Sequence, residues 1–184
     1  MKKIICAALA ILFIAAIAYA GEKAPQKVYD LANSKLAKYG TDSQVVKAVA
    51  VENSKGKSIA QIKDMDKKWI ATPGIADYMK ELMTSECSKH LIKIKNSAPY
   101  LAEIFLTDNQ GANVCQTDKT SDYWQGDEKK FTESFKGGEG AVFVDEVKFD
   151  ESTQEQLVHV SVPVKDEVKT IGALIFGVQI SKVQ

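Results

Sequence analysis

The spacing of apolar residues changes once along this chain. Up to Lys95 they recur every three or four positions, and from Tyr100 they recur every second position, with Asn96-Ser97-Ala98-Pro99 as the break. A period near 3.6 buries one side of a helix, whereas a period of 2 buries one face of a strand. Helices therefore come first and strands follow. Val28, Leu31, Ala32, Leu36 and Ala37 predict a helix from Lys27 to Gly40. Val45, Val46, Val49 and Val51 predict a second, and Ile59, Ile62 and Met65 a third that ends near Ile70. Thr72-Pro73 is a capping hydroxyl followed by proline at a first helical position, and the apolar stripe from Ile75 to Ile94 predicts one long helix ending about Lys95.

The second part reads as strands at Ala102 to Asp108, Asn113 to Thr117, Ala141 to Val147, Leu157 to Val164 and Ile171 to Ile180. Asp108-Asn109-Gln110-Gly111 is a tight hairpin signal, because glycine adopts positive φ without steric cost. A polar loop from Lys119 to Gly126 and a short helix from Asp127 to Phe135, closed by Gly137-Gly138, separate the second and third strands. Asp150-Glu151-Ser152-Thr153 is a turn. Short connections between successive strands imply an antiparallel sheet with helices packed on it, an α+β fold. The sequence divides as a leader over 1–20, a helical N-terminal extension over 21–71 and a sheet-bearing domain over 72–184.

The leader is an address. Lys2 and Lys3 precede an apolar run from Ile4 to Ile17, and Ala18-Tyr19-Ala20 supplies the small residues that signal peptidase reads. Cleavage after Ala20 predicts an exported, periplasmic protein with no membrane span left. The 17 residues from Ile4 to Ala20 are short for a bilayer-spanning anchor, the other reading of this segment. Removal leaves 22 lysines against 24 acidic residues and two cysteines, Cys87 and Cys115. An even pair in an oxidising compartment can form a disulfide, provided the Cα atoms come within about 7 Å.

Composition excludes several functions. All 24 cations are lysine and the formal net charge is zero, which speaks against a nucleic-acid surface. With no arginine fork, any bound anion must be met by lysine, hydroxyls or backbone N–H groups. The sequence has no nucleophile elbow, no His-Glu-x-x-His and no phosphate-binding glycine loop, so no enzymatic activity and no cofactor are expected. Cys87 and His90 lie one turn apart, but a zinc site needs about four ligands and no second cluster is present, so no metal is expected.

Several strings, in order, resemble a Cache domain, the extracytoplasmic PAS-like sensor module of bacterial receptors and chemoreceptors. Ala102-Glu-Ile-Phe-Leu-Thr-Asp108-Asn-Gln-Gly111 resembles its first hairpin and Ser121-Asp-Tyr-Trp-Gln-Gly-Asp127 the loop that follows. Ala141-Val-Phe-Val-Asp145, Phe149-Asp-Glu-Ser152, Val162-Pro-Val164-Lys-Asp166 and Ile171-Gly172-Ala-Leu174 are similar to its later strands. The resemblance spans about 73–180. It implies a PAS-like five-stranded antiparallel sheet behind a long N-terminal helix, and a small-molecule ligand held between the sheet and the loop after the second strand. It also implies signal transduction through a membrane receptor or kinase partner, since the chain carries no transmitter region of its own.

On that resemblance the ligand-binding candidates are Tyr123, Trp124, Asp127, Phe143, Asp145 and His159. Tyr123 and Trp124 are large aromatics in a polar loop, suited to stack on a ligand. Asp127 serves equally as a helix cap. Phe143 and Asp145 occupy strand positions that carry Tyr and Asp in amino-acid-binding members. Here Phe143 lacks the hydroxyl, and both the loop arginine and the final-strand aspartate near Gln179 of those members are missing. A smaller carboxylate, an amine or a neutral molecule is therefore as well suited as an amino acid. His159 faces away from the valine stripe beside Ser161, either as a strand histidine hydrogen-bonded to its neighbours or as a pocket donor. The other reading is a secreted interaction protein that keeps the fold without a ligand.

Overall fold

A computed structural model describes residues 21–150 and 155–184; the leader over 1–20 and most of the turn expected over 150–153 lie outside these residues. The helical part opens with α1 (Gln26–Leu31), which runs through a π-helical turn, Ala32–Leu36, into a 3-10 turn, Ala37–Thr41. Asp42 caps α2 (Ser43–Ser54) by accepting from the N–H groups of Gln44 and Val45 at 2.9 and 3.2 Å. Ser58 and Gln61 form a reciprocal capping box on α3 (Ile59–Ala71). Residues 21–26 are anchored: Glu22 bridges Val147 and Ala24 is buried.

The single long helix expected from Pro73 is two helices, α4 (Asp77–Thr84) and α5 (Glu86–Asn96). Gly74 at φ +67° delays the start. Ser85 breaks the run: its ψ is 164° and its Oγ accepts from the Ser88 N–H at 3.1 Å. Serine competes with helix continuation by offering the backbone such a bond, which makes it a better cap than an interior residue.

Among the described residues six strands follow, one more than expected: β1 (Leu101–Thr107), β2 (Asn113–Gln116), β3 (Phe143–Val144), β4 (Lys148–Asp150), β5 (Glu155–Asp166) and β6 (Lys169–Gln179). The third expected strand is short because Asp145 turns its carboxylate onto the Glu146 N–H at 2.9 Å, and the chain re-enters the sheet as β4. A short helix, α6 (Lys129–Phe135), lies between β2 and β3 with Glu128 at its N-cap, so Asp127 stands outside the helix it was expected to open.

The sheet order is β2-β1-β6-β5-β3, with β4 also on β5, and every pairing is antiparallel. The register of β5 on β6 runs from Leu157↔Gln179 to Asp166↔Lys169. One face carries Val158, Val160, Val162 and Val164 together with Ile104, Leu174 and Phe176, packed under Val28, Leu36, Val45, Val49 and Leu91 of the helices. Each of those four valines is fully buried and contributes roughly 2 kcal/mol. Gly40 lies against this face, where a Cβ would collide with the Pro163 carbonyl. The opposite face carries Phe105, Ala173 and Ile175 under Phe131 of α6. The sheet is thus sandwiched, and residues on both sides of position 71 share one core. Among the described residues no helix is long and apolar enough to cross a membrane.

Candidate functional site

A cavity of about 640 Å3 lies where α2, α3, α4 and the start of α5 meet β2 and the extended segment at Tyr123. Its floor is an ion-paired triad. Glu52 continues the buried stripe of Val45 and Val49 along α2, which carries its carboxylate inward to 8% exposure. Lys55 meets it at 2.7 Å and Lys57 from the other side. Lys57 also donates to the Tyr123 hydroxyl at 3.1 Å and sits 5.7 Å from that ring's centre.

Tyr123 is held from three directions. Its carbonyl accepts from the Asn113 N–H at 2.9 Å, so this segment runs beside β2. Asp66 of α3 accepts the N–H groups of Tyr123 and Trp124 at 2.9 and 3.0 Å. The ring packs 6.0 Å from that of Trp69, which is fully buried and donates its indole N–H to the Thr120 carbonyl at 2.8 Å. Aromatic and aliphatic walls (Trp69, Tyr78, Met65, Leu82) thus rise above a charged floor. Cys87 forms part of the wall and is disulfide-bonded to Cys115 of β2, Cα to Cα 6.0 Å.

The triad sets its own protonation. Burial alone would push Glu52 up, but the hydrogen bonds and charges of Lys55 and Lys57 outweigh it and hold the carboxyl below its ordinary range. Burial would lower Lys57; the bonds to Glu52 and Tyr123 reverse this and hold it above the usual ammonium value. Burial pushes the Tyr123 phenol up, against the opposing Lys57 contact. The floor at neutral pH is therefore two ammonium groups, one carboxylate and a neutral hydroxyl.

No protein-family model and no curated protein matches the sequence. Among solved structures, the sensor domain of the V. cholerae histidine kinase DctB matches at 13% identity with a TM-score of 0.51, over 85% of this chain and 51% of that one. The fold is that of a Cache-type sensor domain. The sensory domain of the Campylobacter jejuni chemoreceptor Tlp3 with isoleucine bound matches at 19% identity and a TM-score of 0.41, over 87% and 65% of the two chains. The E. coli DcuS sensor domain matches at 17% identity and 0.39, over 67% and 90%. The chain spans about half the length of the DctB domain and about two thirds of the Tlp3 domain.

Within this Cache-type fold the six residues singled out in the sequence occupy four places. Tyr123 lines the cavity. Trp124 and Asp127 line a separate surface groove with Lys63 and Asp66, the Lys63 ammonium 4.7 Å over the Trp124 ring. Phe143 and His159 belong to the sheet face beneath α6, where Phe143 pairs with Ser161 and His159 with Gly177. His159 Nε2 lies 3.0 Å from Glu103 Oε1 across the sheet. Asp145 is buried, with Lys148 at 3.1 Å. His90 lies 3.0 Å from Asp42. Among the described residues no group of three or more His, Cys, Asp or Glu side chains is placed to hold a metal.

Sequence reasoning missed Glu52, Lys55, Lys57 and Trp69. A signal was present for the first: Val45, Val49 and Glu52 share one helical face, and a carboxylate on a buried stripe requires a partner.

Proposed function

We propose that this chain is an extracytoplasmic sensor module that binds a small carboxylate in the cavity floored by Glu52, Lys57 and Tyr123. The observation that carries the reading is the charged, hydroxyl-bearing floor under aromatic walls, the usual make-up of a small-molecule pocket. Charge selects the class. Two lysines against one carboxylate leave one positive charge on the floor, while Lys47, Glu81 and Glu86, which also line the cavity, together carry one negative charge away from it. Lys57 occupies a lone pair of the Tyr123 oxygen, and among the described residues that hydroxyl has no acceptor, so its proton is available to a ligand oxygen. The walls suit an aliphatic or aromatic body.

The chain is exported through cleavage after Ala20, works in the periplasm and acts through a membrane receptor or kinase partner. The Cache-type fold supports a sensor rather than an enzyme.

The test is a thermal-shift screen of the chain from Gly21 against carboxylates, amines and neutral amides. A carboxylate at 100-fold its dissociation constant stabilises by ~2.7 kcal/mol, and Tyr123→Phe and Lys57→Met each abolish the shift. Amine hits alone overturn the charge argument. A well-folded protein with no hit moves the reading to a partner-binding protein that keeps the fold without a ligand.

A further inference from the structure

The wall of this cavity carries a covalent tie whose position suggests more than general support. Helix α4 contributes a single fully covered residue, Met79, to the interior. It is bounded by two non-helical points, Gly74 at φ +67° and Ser85 at ψ 164°. Tyr78, Leu82 and Met83 pack only partly buried beside Met79, the Tyr78 ring 6.1 Å from that of Trp69, and the helix's hydrogen bonds include the Tyr78 hydroxyl on Thr72 Oγ1 at 2.9 Å and the Ser88 hydroxyl on the Leu82 carbonyl at 2.6 Å. An eight-residue element with one fully buried side chain and a break at each end opens more readily than the sheet beneath it. Two residues beyond the Ser85 break, Cys87 is bonded to Cys115, which is fully buried in β2 as part of the main core.

We infer that the Cys87–Cys115 disulfide is a redox latch that pins the α4–α5 wall of the cavity to the sheet and releases it on reduction. The latch regulates the site proposed above and rests on that reading for its use. The oxidised form holds Leu82, Ser85 and Cys87 against β2, closing the wall opposite α2. A dithiol reductant supplies the chemistry. Its thiolate enters by the cavity that Cys87 lines and attacks Cys87 Sγ, the S–S bond breaks, and the electron pair leaves on Cys115 Sγ, which takes a proton. The second thiol of the reductant then closes on the mixed disulfide and releases Cys87 as a thiol. Two electrons and two protons pass to the protein and the reductant becomes a disulfide. Because attack comes through the cavity, an occupant slows reduction by covering the bond; at equilibrium, loosening of the wall on reduction weakens the occupant's binding, and the occupant in turn favours the oxidised form by the same factor.

Amide hydrogen exchange on the full chain, oxidised and after dithiothreitol treatment, tests the latch. On reduction, exchange over residues 77–91 accelerates by at least about tenfold more than exchange over 157–164 and 171–178. Unchanged protection over 77–91 overturns the inference, and so does an acceleration across the sheet as large as that over 77–91, which would make the bond only a support of the whole fold. Cys87→Ser reproduces the reduced pattern without reductant; should that variant not fold, the dithiothreitol comparison on the unsubstituted chain decides. A negative ligand screen with a positive exchange result removes the ligand reading and leaves the latch, and the converse removes the latch alone.

Discussion

Replacing Glu52 by glutamine tests whether the triad organises the cavity floor. Glu52 is a nearly buried carboxylate with two ammonium partners, Lys55 on the more open side and Lys57 on the inner side. The isosteric amide keeps the shape and removes the charge. Each charge-assisted hydrogen bond contributes roughly 1.5–3 kcal/mol. Lys55, at 54% side-chain exposure, is rehydrated when its partner is lost, so its bond adds little. Lys57 is left with the Tyr123 hydroxyl and a partly covered charge. The net cost at pH 7 is about 2 kcal/mol, a fall of roughly 4–8 °C in melting temperature for a chain of this size. The sign with pH follows from the lowered Glu52 value: its contribution is complete above the unfolded value near 4.5 and is lost as pH falls through the lower folded value. Lys57 acts in the opposite sense, its raised value stabilising below 10.5 and losing that contribution as pH rises through the higher folded value. Urea unfolding followed by circular dichroism at pH 7 and at pH 3 measures the effect. The Glu52→Gln penalty should shrink at the lower pH. A penalty under about 0.5 kcal/mol at pH 7, or one equal at both pH values, refutes the reasoning.

Two further substitutions bear on the same wall. Trp69→Ala removes a fully buried indole and its bond to the Thr120 carbonyl, and should cost about 3–5 kcal/mol in urea unfolding; a loss below 1 kcal/mol would mean that the neighbouring side chains collapse into the space. Replacing both Cys87 and Cys115 by serine opens a 28-residue separation in the unfolded chain and should cost about 3–4 kcal/mol, or about 10 °C in melting temperature. Calorimetry of the two forms checks it, and equal midpoints would show that the bond constrains neither state.

The fold was legible where a pattern repeats long enough to be unambiguous. The valine stripe of β5, the Asp108–Gly111 hairpin and the helix-to-strand switch near Pro99 are each where the spacing places them. The Ser85 break was not, because the apolar stripe continues through it and only a side-chain bond to the Ser88 N–H ends the helix. Asp145 split the third strand in the same way. Both are local polar bonds competing with a hydrophobic period, and the period alone does not reveal them. The site was less legible. Tyr123 and Trp124 were paired because they are adjacent in a segment read as a loop. That segment is extended, with Ala112 bridging Trp124 and Tyr123 bonded to Asn113, and successive side chains of an extended chain point to opposite sides. One aromatic therefore meets the cavity and the other a separate groove.

The placement of Glu52 explains why the cavity floor takes the form it does in a chain without arginine. A single lysine facing a ligand carboxylate is a point charge on a flexible stem, with none of the geometric constraint of a guanidinium fork. Here the constraint comes from the neighbours. Glu52 fixes Lys57 from below, the Tyr123 ring and hydroxyl fix it from the side, and Tyr123 is itself clamped by Asp66, Asn113 and Trp69. The cost is a carboxylate carried into the interior on a helix face otherwise made of valine. Lys55 meets part of that cost by keeping the floor net positive, since with Lys57 alone the pair would be neutral and would offer an incoming anion nothing beyond the hydroxyl. Removing Lys55 by a Lys55→Met change should thus leave Tyr123 in place and the fold nearly as stable, because the lysine is half exposed, yet weaken carboxylate binding by about tenfold, a loss equivalent to ~1.4 kcal/mol. Calorimetric titration of the variant with the carboxylate that stabilises the unsubstituted chain measures it. Affinity unchanged by Lys55→Met would show that the positive charge of the floor does not select the ligand.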